Sequence, residues 1–552
     1  MEKFLSPAVL WKDFIDEPEE PEISVVCDEA HTRAFYFSAL RLDNAAVRCF
    51  VTVKRPHGDD ILPAAILLCP ERRRNDLEKL ILSEKCVVVH IDYEGAAAGK
   101  ERFTIYPAAF LYAEMPGYFG KNRADLFKVK SSTKETPWYV WTAIVRRAIA
   151  LVKTTEKIDP DKIALIGAGA GANIGWKVIG TSKNVAVAAL IEPIGVERSG
   201  LADKSSVYGT LTDDEGFMLS LSTAAYIPTV ACPVLAHAGT NAANNMFDRM
   251  SQNLRRLNKS VPLLFSVSPR ADGELDFSQA RNIKNWLSIM NTGEPKLRKR
   301  PRLNVLVCEG RLFASVKAED ADAVKNAVVY YAYAAPVPSM RNWYETEARL
   351  DSGVFVAELD LYYSGKTVYC FAVVNYRDGF SQASFITAQI PDATVVPAEI
   401  PPQRMLYDAR TMGRDCFTAE TGEGLQISRQ PVVIEKCLSG IPGITAPQGS
   451  LVTYKVGDAR FSPPAPDSEL VLQLYSETER ETEITLTEYI NGERGKSYTK
   501  PVKILKLTEW QKVVCAYGDF KSASKAPLVS WDNVAKLSIK TDGILVGSIL
   551  WV

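Results

Sequence analysis

The sequence predicts a multidomain protein: an α/β domain with a mostly parallel sheet covered by helices, followed by two all-β sandwich domains. Three observations lead to this prediction. The chain has 552 residues, whereas a single hydrophobic core rarely grows beyond about 250–300 residues. Its first half alternates short apolar runs with helical periodicity, which is typical of a sheet covered on both faces. Beyond residue 302 the apolar pattern has a period of two and lacks helices, which is typical of sandwiches.

The changes in periodicity set the predicted domain boundaries. Residues 1–29 are an N-terminal extension, residues 30–292 the α/β domain and residues 293–302 a linker. The first sandwich, of immunoglobulin-like type, covers residues 303–395. The second sandwich covers residues 403–552.

Each predicted element rests on its own pattern. The segment Val47–Val53 alternates apolar with other residues, so it has one buried face. Continuous apolar runs predict strands buried on both faces at Ala64–Leu68, Val87–Ile91, Lys162–Ile166, Val185–Ile191, Val234–His237 and Leu263–Val267. A period of 3.6 predicts helices at Trp138–Lys153, after Ile166, around Asn253 and at Ala280–Met290. Alternating runs such as NAVVYYAYAA and ETEITLTEY supply the strands of the two sandwiches.

Composition narrows the classes of function. The 65 basic and 66 acidic residues leave a formal charge of −1, so we expect no nucleic-acid partner. We interpret the densest basic run, Lys296 to Arg302, as a solvated linker. No window offers the ~18 consecutive apolar residues of a membrane span, and the acidic, proline-rich start differs from a signal peptide. The ten cysteines are scattered and read as reduced thiols, so we expect a cytoplasmic protein.

The chemically most informative motif is a glycine turn. Lys162–Ile166 runs directly into Gly167-Ala168-Gly169-Ala170-Gly171, and a helical pattern follows. One interpretation is a dinucleotide-binding fingerprint, with Ala172 in place of its third glycine and Glu192 as the acidic residue. The spacing does not fit that motif cleanly, and short glycine patterns are weak signals. We therefore expect no cofactor, and the absence of clustered His and Cys residues predicts no metal site.

Five segments carry a family resemblance: IDYEG (91–95), TIYPAAFLYAE (104–114), ETPWYVWTAIVRRAI (135–149), IDPDKIALIGAGAGANIGW (158–176) and CPVLAHAGTNAANN (232–245). With these segments roughly half of the chain resembles the α/β-hydrolase superfamily, in particular its dienelactone-hydrolase and acetyl-xylan-esterase branch. The β regions resemble accessory sandwiches. The last of them resembles a galactose-binding-like fold of carbohydrate-binding type. Two segments carry this resemblance, WQKVVCAYGDFKS (510–522) and SWDNVAKLSIKTDGILVGSILWV (530–552).

The resemblance implies where a catalytic triad should lie. The nucleophile should occupy the centre of G-x-S-x-G, where this chain has Gly169, and the acid position holds Ala242. The base should follow the last strand of the domain, but SPRADGELDFSQA contains no histidine. We interpret His90 and His237 as hydrogen-bonded core residues. On the oxyanion side the chain reads Cys69-Pro70-Glu71-Arg72, and proline lacks the N–H that an oxyanion needs.

These substitutions predict a non-catalytic α/β-hydrolase homologue, a pseudo-esterase that binds or scaffolds. The resemblance implies a carbohydrate or a small acyl ligand, and a residual pocket would comprise Gly169, Ala170, Glu71 and Ala242. The alternative is an ester or acyl-carbohydrate hydrolase with a relocated nucleophile. The nucleophilic residues nearest by region are Ser131, Ser132, Cys69 and Cys232. For three tryptophans of the last sandwich, Trp510, Trp531 and Trp551, core packing is favoured over sugar stacking.

Overall fold

The structure is a computed structural model. It describes residues 4–17, 21–42, 45–58, 60–69, 71–95, 101–107, 127, 129, 131–192, 214–242, 246–271, 277–335, 338–363, 365–391, 394–399, 403–414, 417–421, 428–430, 432–490, 493–506 and 508–552. No helix in these ranges is both long enough and apolar enough to cross a membrane.

The first region is built on a nine-stranded sheet. Its strands are β1 (Ser24–Glu29), β2 (Thr32–Leu42), β3 (Ala45–Lys54), β4 (Leu62–Leu68), β5 (Val87–Ile91), β6 (Ile158–Ala168), β7 (Val187–Ile191), β8 (Val234–Gly239) and β9 (Leu263–Ser268). They are ordered β1-β2-β3-β5-β4-β6-β7-β8-β9. The pairings from β5 to β9 are parallel, and those among β1, β2, β3 and β5 are antiparallel. Every strand predicted between residues 47 and 267 is present, so the mostly parallel sheet is confirmed.

Helices cover both faces of this sheet. Within the described residues the α-helices are α1 (Pro7–Leu10), α2 (Glu71–Ser83), α3 (Pro137–Thr155), α4 (Ala170–Ile179), α5 (Glu215–Ser220), α6 (Thr223–Tyr226), α7 (Met246–Asn253), α8 (Phe277–Thr292) and α9 (Ala409–Met412). Because successive side chains of a strand point to opposite faces, Ile66 of β4 packs with α3 and α4, whereas Leu67 packs with α2 and α8. Helix α3 begins at a proline, and the Thr136 side chain caps it by accepting from the Tyr139 N–H.

The N-terminal segment packs onto the α/β region. Strand β1 pairs with β2, although the sequence analysis assigned residues 1–29 to an extension. Trp11 stacks on Tyr139 at a centroid distance of 4.7 Å, and its ring N–H donates to the Tyr226 hydroxyl over 3.0 Å. The polar pattern of β1, which is exposed or half-buried along its length, explains why it was not predicted as a strand.

The second region is antiparallel throughout. Its strands are β10 (Arg302–Cys308), β11 (Arg311–Lys317), β12 (Val324–Tyr333), β13 (Tyr344–Asp351), β14 (Val354–Leu359), β15 (Val368–Tyr376), β16 (Ser381–Ala383) and β17 (Thr387–Gln389). They are ordered β10-β11-β14-β13-β12-β15-β16, with β17 also paired to β15. Because β13 pairs with both β12 and β14, the strands are connected in one continuous sheet. The immunoglobulin-like arrangement of two packed sheets, which the sequence suggested, stays a prediction.

The third region has two six-stranded sheets. Its strands are β18 (Met405–Asp408), β19 (Thr418–Thr421), β20 (Ser428–Gln430), β21 (Val433–Lys436), β22 (Pro442–Thr445), β23 (Ser450–Thr453), β24 (Leu470–Tyr475), β25 (Arg480–Ile490), β26 (Glu493–Ile504), β27 (Gln511–Cys515), β28 (Val534–Lys540) and β29 (Leu545–Trp551). One sheet runs β21-β22-β29-β24-β27 with β18 beside β29, and the other runs β20-β19-β23-β28-β25-β26. Trp531 and Trp551 pack together in the core, 4.8 Å between ring centroids, so core packing is confirmed for these two rings. Trp510 is half-buried against Tyr475.

The second and third regions meet at a carboxylate. The Tyr344 hydroxyl donates to Oδ1 of Asp458, which also accepts from the Arg460 N–H over 3.0 Å. The Arg460 guanidinium lies 5.3 Å from the Tyr344 ring centroid. Burial raises the pKa of Asp458, and the hydrogen bond from Tyr344 opposes that rise.

We expect this carboxylate to make folding depend on pH. Because the pKa of Asp458 is higher in the folded than in the unfolded chain, the folded state binds the proton more tightly. The resulting stabilisation is complete below the ordinary carboxyl pKa and is lost as the pH rises through the raised value, by at most roughly 1.4 kcal/mol per pH unit. Asp458→Asn should remove this decline. Urea unfolding at a series of pH values measures it, with the exposed Asp542→Asn as control; equal slopes for the wild type and Asp458→Asn would contradict the expectation.

Candidate functional site

The turn between β6 and α4 brings a glycine to the carboxyl edge of the sheet. Gly169 has φ 59° and ψ −119°, and only glycine adopts such a positive φ without steric cost. Its N–H donates to the Ile191 carbonyl over 2.9 Å, and its carbonyl accepts from the N–H groups of Ala172 (3.1 Å) and Asn173 (3.3 Å). The predicted strand, glycine turn and helix are confirmed.

The two flanking glycines allow the helix to approach the sheet. A Cβ on Gly171 would lie 1.9 Å from the Leu68 carbonyl oxygen at the end of β4. A Cβ on Gly167 would lie 2.5 Å from the Gly171 carbonyl oxygen. Any side chain at either position would therefore force α4 away from β4 and β6. Gly167 and Gly171 therefore have a structural role in the packing of α4 against the sheet.

A tyrosine lies over the first turn of α4. Tyr93 follows β5 and is 2% exposed, and its ring packs edge-on against Trp141 at 6.1 Å. Burial raises the pKa of Tyr93 well above its usual value, while the nearby backbone N–H of Gly171 opposes the rise. Ala170, the first residue of α4, is 4% exposed. The space at the helix N-terminus is thus lined by an aromatic side chain, which sequence reasoning did not single out.

Hydrogen bonds fix the loop that carries this tyrosine. Asp92, 2% exposed, accepts from the N–H groups of Gly95 (3.2 Å) and Thr104 (2.6 Å). The Tyr106 hydroxyl donates to the Tyr93 carbonyl over 2.7 Å. Asp92 thus organises the loop after β5.

The acid position lies in a loop that the second region holds. Ala242, 4% exposed, follows β8. The side-chain amide of its neighbour Asn241 donates to the Arg341 carbonyl over 3.0 Å. Arg341, 2% exposed, in turn pairs with Asp248 over 2.7 Å. Asp248 therefore joins α7 to the second region.

Glu192 is the carboxylate that the strand order brings beside the elbow. It ends β7 with φ 49°, and β7 is the strand next to β6. Its N–H donates to the His237 carbonyl over 3.0 Å, and its Oε1 accepts from the Gly239 N–H over 3.2 Å. The sequence analysis named Glu192 only for a dinucleotide. In such a site the phosphates would lie at the N-terminus of α4; that the protein binds no dinucleotide remains an expectation from the sequence.

The two histidines of the sheet are core residues, as predicted. His237 is fully buried in β8, and its Nδ1 and Nε2 lie 3.3 Å and 3.4 Å from the hydroxyls of Ser266 and Ser268. His90 is 5% exposed within β5. Each ring is held inside a strand instead of on the loop that would present a base to Gly169.

The structure describes most, but not all, of the remaining residues that the sequence singled out. Glu71 begins α2, but its side chain and Pro70 lie outside the described residues. Cys69 follows β4 and is 2% exposed. Cys232 precedes β8 at the opposite edge of the sheet, and burial raises its pKa to about 12. Ser131 and Ser132 precede α3, where the Ser131 hydroxyl bonds Glu135 and the Ser132 side chain accepts from the Lys134 N–H.

Metal ligands are not clustered in the described ranges: no group of three or more His, Cys, Asp or Glu residues there could hold an ion. That the protein uses no metal or cofactor remains an expectation from the sequence.

No family model matches the chain, and no curated protein matches it. Several solved structures do match it. An acetyl xylan esterase from Paenibacillus sp. R4 is 13% identical with a TM-score of 0.38, covering 51% of this chain and 91% of that one. Acetyl xylan esterase 1 from Thermoanaerobacterium sp. JW/SL YS485 is 10% identical with a TM-score of 0.37, covering 53% and 98%. A putative dienelactone hydrolase from Klebsiella pneumoniae subsp. pneumoniae MGH 78578 is 13% identical with a TM-score of 0.31, covering 47% and 99%. Likenesses at these TM-scores establish neither the family nor the activity of this chain.

Proposed function

We propose that this chain is a non-catalytic homologue of α/β-hydrolases that binds or scaffolds and does not hydrolyse esters at its elbow. One observation carries the proposal. Gly169 has the φ and ψ of a nucleophile turn but no side chain to attack a substrate. Glycine removes the attacking atom and the steric cost of holding a side chain there, which is on the order of 1–3 kcal/mol.

The surrounding positions support the proposal. The acid position holds Ala242, whose loop is bonded to Arg341 of the second region. His237 lies between two serine hydroxyls within β8. A serine hydrolase needs a nucleophile, a base within hydrogen-bond reach and an acid that orients the base. Substituting Gly169 alone would therefore not rebuild a triad.

The ligand that we propose is a carbohydrate or a small acyl compound. This choice rests on the sequence resemblance to esterases with accessory sandwiches. We also propose a cytoplasmic location, which agrees with the absence of disulfides among the nine described cysteines.

A second candidate function is a thiol-dependent ester hydrolase. The register between β4 and β5 pairs Leu67 with His90, and Leu67 shares one face of the sheet with Cys69. A cysteine and a histidine on one face are the elements of a thiolate nucleophile. The solved structures above are named as esterases and hydrolases, in keeping with this candidate. Burial of both side chains weighs against it, because reactive cysteines are partly exposed.

Covalent labelling separates the two candidates. The native protein is treated with a fluorophosphonate, and separately with iodoacetamide at low concentration, and labelled residues are located by mass spectrometry. The first proposal predicts no fluorophosphonate adduct and no preferential labelling of Cys69. Rapid alkylation of Cys69 that is lost in Cys69→Ser, but retained in a Cys308→Ser control at an exposed cysteine, would favour the thiol hydrolase and overturn the first proposal.

A further inference from the structure

A cleft lies between the α/β region and the second region, far along the chain from the glycine elbow. Its volume is about 980 Å³. The cleft is lined by residues between α7 and the start of β9, by the predicted linker, and by residues at the paired ends of β10 and β11. Phe385, which lies just before β17, completes the lining. Seven of them are basic: Arg255, Lys259, Arg298, Lys299, Arg300, Arg302 and Lys317. The acidic residue among them is Glu319, so positive charge is concentrated here in a chain of formal charge −1.

Two of these cations are neutralised by the protein. Arg298 pairs with Asp378 over 2.5 Å and with Asp320 over 3.1 Å. Lys299 pairs with Glu319 over 3.5 Å. The Arg298 contacts attach the basic run to the second region, whereas the Lys299 side chain is 87% exposed, in keeping with the solvated linker that the composition suggested.

The other five cations have no salt bridge within the described ranges: Arg255, Lys259, Arg300, Arg302 and Lys317. Arg302 and Lys317 are directly opposite each other on β10 and β11, a like-charged cross-strand pair that destabilises a sheet. The guanidinium groups of Arg255 and Arg300 both lie on the ring of Phe385, at 4.9 Å and 3.5 Å from its centroid. Burial, together with the charges of Arg255 and Arg302, lowers the pKa of Arg300 to about 10.

We propose that this cleft binds a small organic molecule that carries two or more phosphate groups. Arg302 and Lys317 lie opposite each other and Arg255 and Arg300 share the ring of Phe385, so a multivalent anion bound between them would offset like charges that the fold holds close together. The guanidinium group of an arginine can donate two parallel hydrogen bonds to two oxygens of a phosphate group. Leu257, Val261 and Leu297 add apolar surface to the same cleft, which suits the organic part of such a ligand, and the volume is that of an ordinary small-molecule site.

The probe for this site is inorganic tripolyphosphate, titrated into the full-length protein by calorimetry at low and at high salt. We expect binding at low salt that weakens as salt screens the cations. Arg300→Gln, and the double variant Arg302→Gln with Lys317→Gln, should each weaken binding roughly tenfold or more, because each removes a charge-assisted hydrogen bond. Lys512→Gln, an exposed cation of the third region, should bind like the wild type.

The melting temperature provides a second readout, because a purely structural role of these cations would not make it depend on tripolyphosphate. Without ligand, Arg302→Gln should melt at or above the wild-type temperature, because it removes the repulsion from Lys317. Tripolyphosphate should raise the melting temperature of the wild type and not that of the double variant. The proposal is overturned if the wild type does not bind tripolyphosphate at low salt, if Lys512→Gln weakens binding as much as the cleft variants do, or if a single-stranded oligonucleotide binds where tripolyphosphate does not.

Discussion

Gly171→Ala is expected to destabilise the protein by about 3–5 kcal/mol, at the upper end for a single substitution. The added Cβ would lie 1.9 Å from the Leu68 carbonyl oxygen. That oxygen belongs to the backbone at the end of a central strand, so it cannot move aside as a flexible side chain would. Relief requires α4 to shift from β4, which breaks the packing of a helix that is buried along its whole length. Urea unfolding followed by tryptophan fluorescence measures the loss, and Trp176 lies on α4 itself.

Two other glycine substitutions calibrate this result. Gly518→Ala, whose Cβ would meet no atom within 4 Å, should change the free energy of unfolding by no more than about 0.5 kcal/mol. Gly169→Ala should cost on the order of 1–3 kcal/mol, because its penalty comes from the positive φ. If Gly171→Ala proves as mild as Gly518→Ala, then α4 does not approach β4 in the way described.

Arg146→Met is expected to cost about 3 kcal/mol, since it leaves one member of a buried ion pair without its partner. Arg146 on α3 pairs with Asp16 over 2.6 Å, with side chains 5% and 14% exposed. Its guanidinium also lies 4.8 Å and 4.5 Å from the ring centroids of Trp11 and Phe14. Loss of this residue should release the N-terminal segment from α3 before the rest of the chain unfolds. Limited proteolysis and urea unfolding report the two events separately.

The matched control is an ion pair on the surface. Lys503 pairs with Glu479 over 2.7 Å, with side chains 55% and 60% exposed, and Lys503→Met should cost less than about 1 kcal/mol. Adding Asp16→Asn to Arg146→Met should recover part of the loss, because the amide removes the charge that has lost its partner while its oxygen can still accept from the side chains of Ser182 and Asn184. An Arg146→Met protein as stable as Lys503→Met would contradict the role given to this pair.

The sequence predicts the parallel part of the fold well for a physical reason. Strands β4 to β9 are buried on both faces, so each is a continuous apolar run between loops. The edge strand β1 was missed because its SVVCDE sequence is exposed or half-buried. Helix α2, with ERRRNDLEKLILS, was missed because its polar face dominates the pattern. The packing of Trp11, Phe14 and Asp16 on α3 depends on single long-range contacts, such as Arg146 with Asp16, that leave no local periodicity.

The elbow could be predicted because its chemistry is local: five consecutive residues specify the turn. Tyr93 and Glu192 could not, since each reaches the elbow only through the order of the strands. The basic cleft shows the same limit. The run Lys296 to Arg302 reads as uniform charge, but only the fold shows that Arg298 and Lys299 are paired while Arg300 and Arg302 meet Arg255 and Lys317.

Whether the glycine elbow is inactive is decided by assaying the purified protein for hydrolysis of p-nitrophenyl acetate and of an acetylated sugar. Gly169→Ala and Cys69→Ser are assayed beside it, with an equal mass of a protein that has no hydrolase activity. The account predicts that turnover by all three chains equals that of the control protein. Turnover well above the control that Gly169→Ala abolishes would contradict it, since the elbow would then be catalytic without a serine.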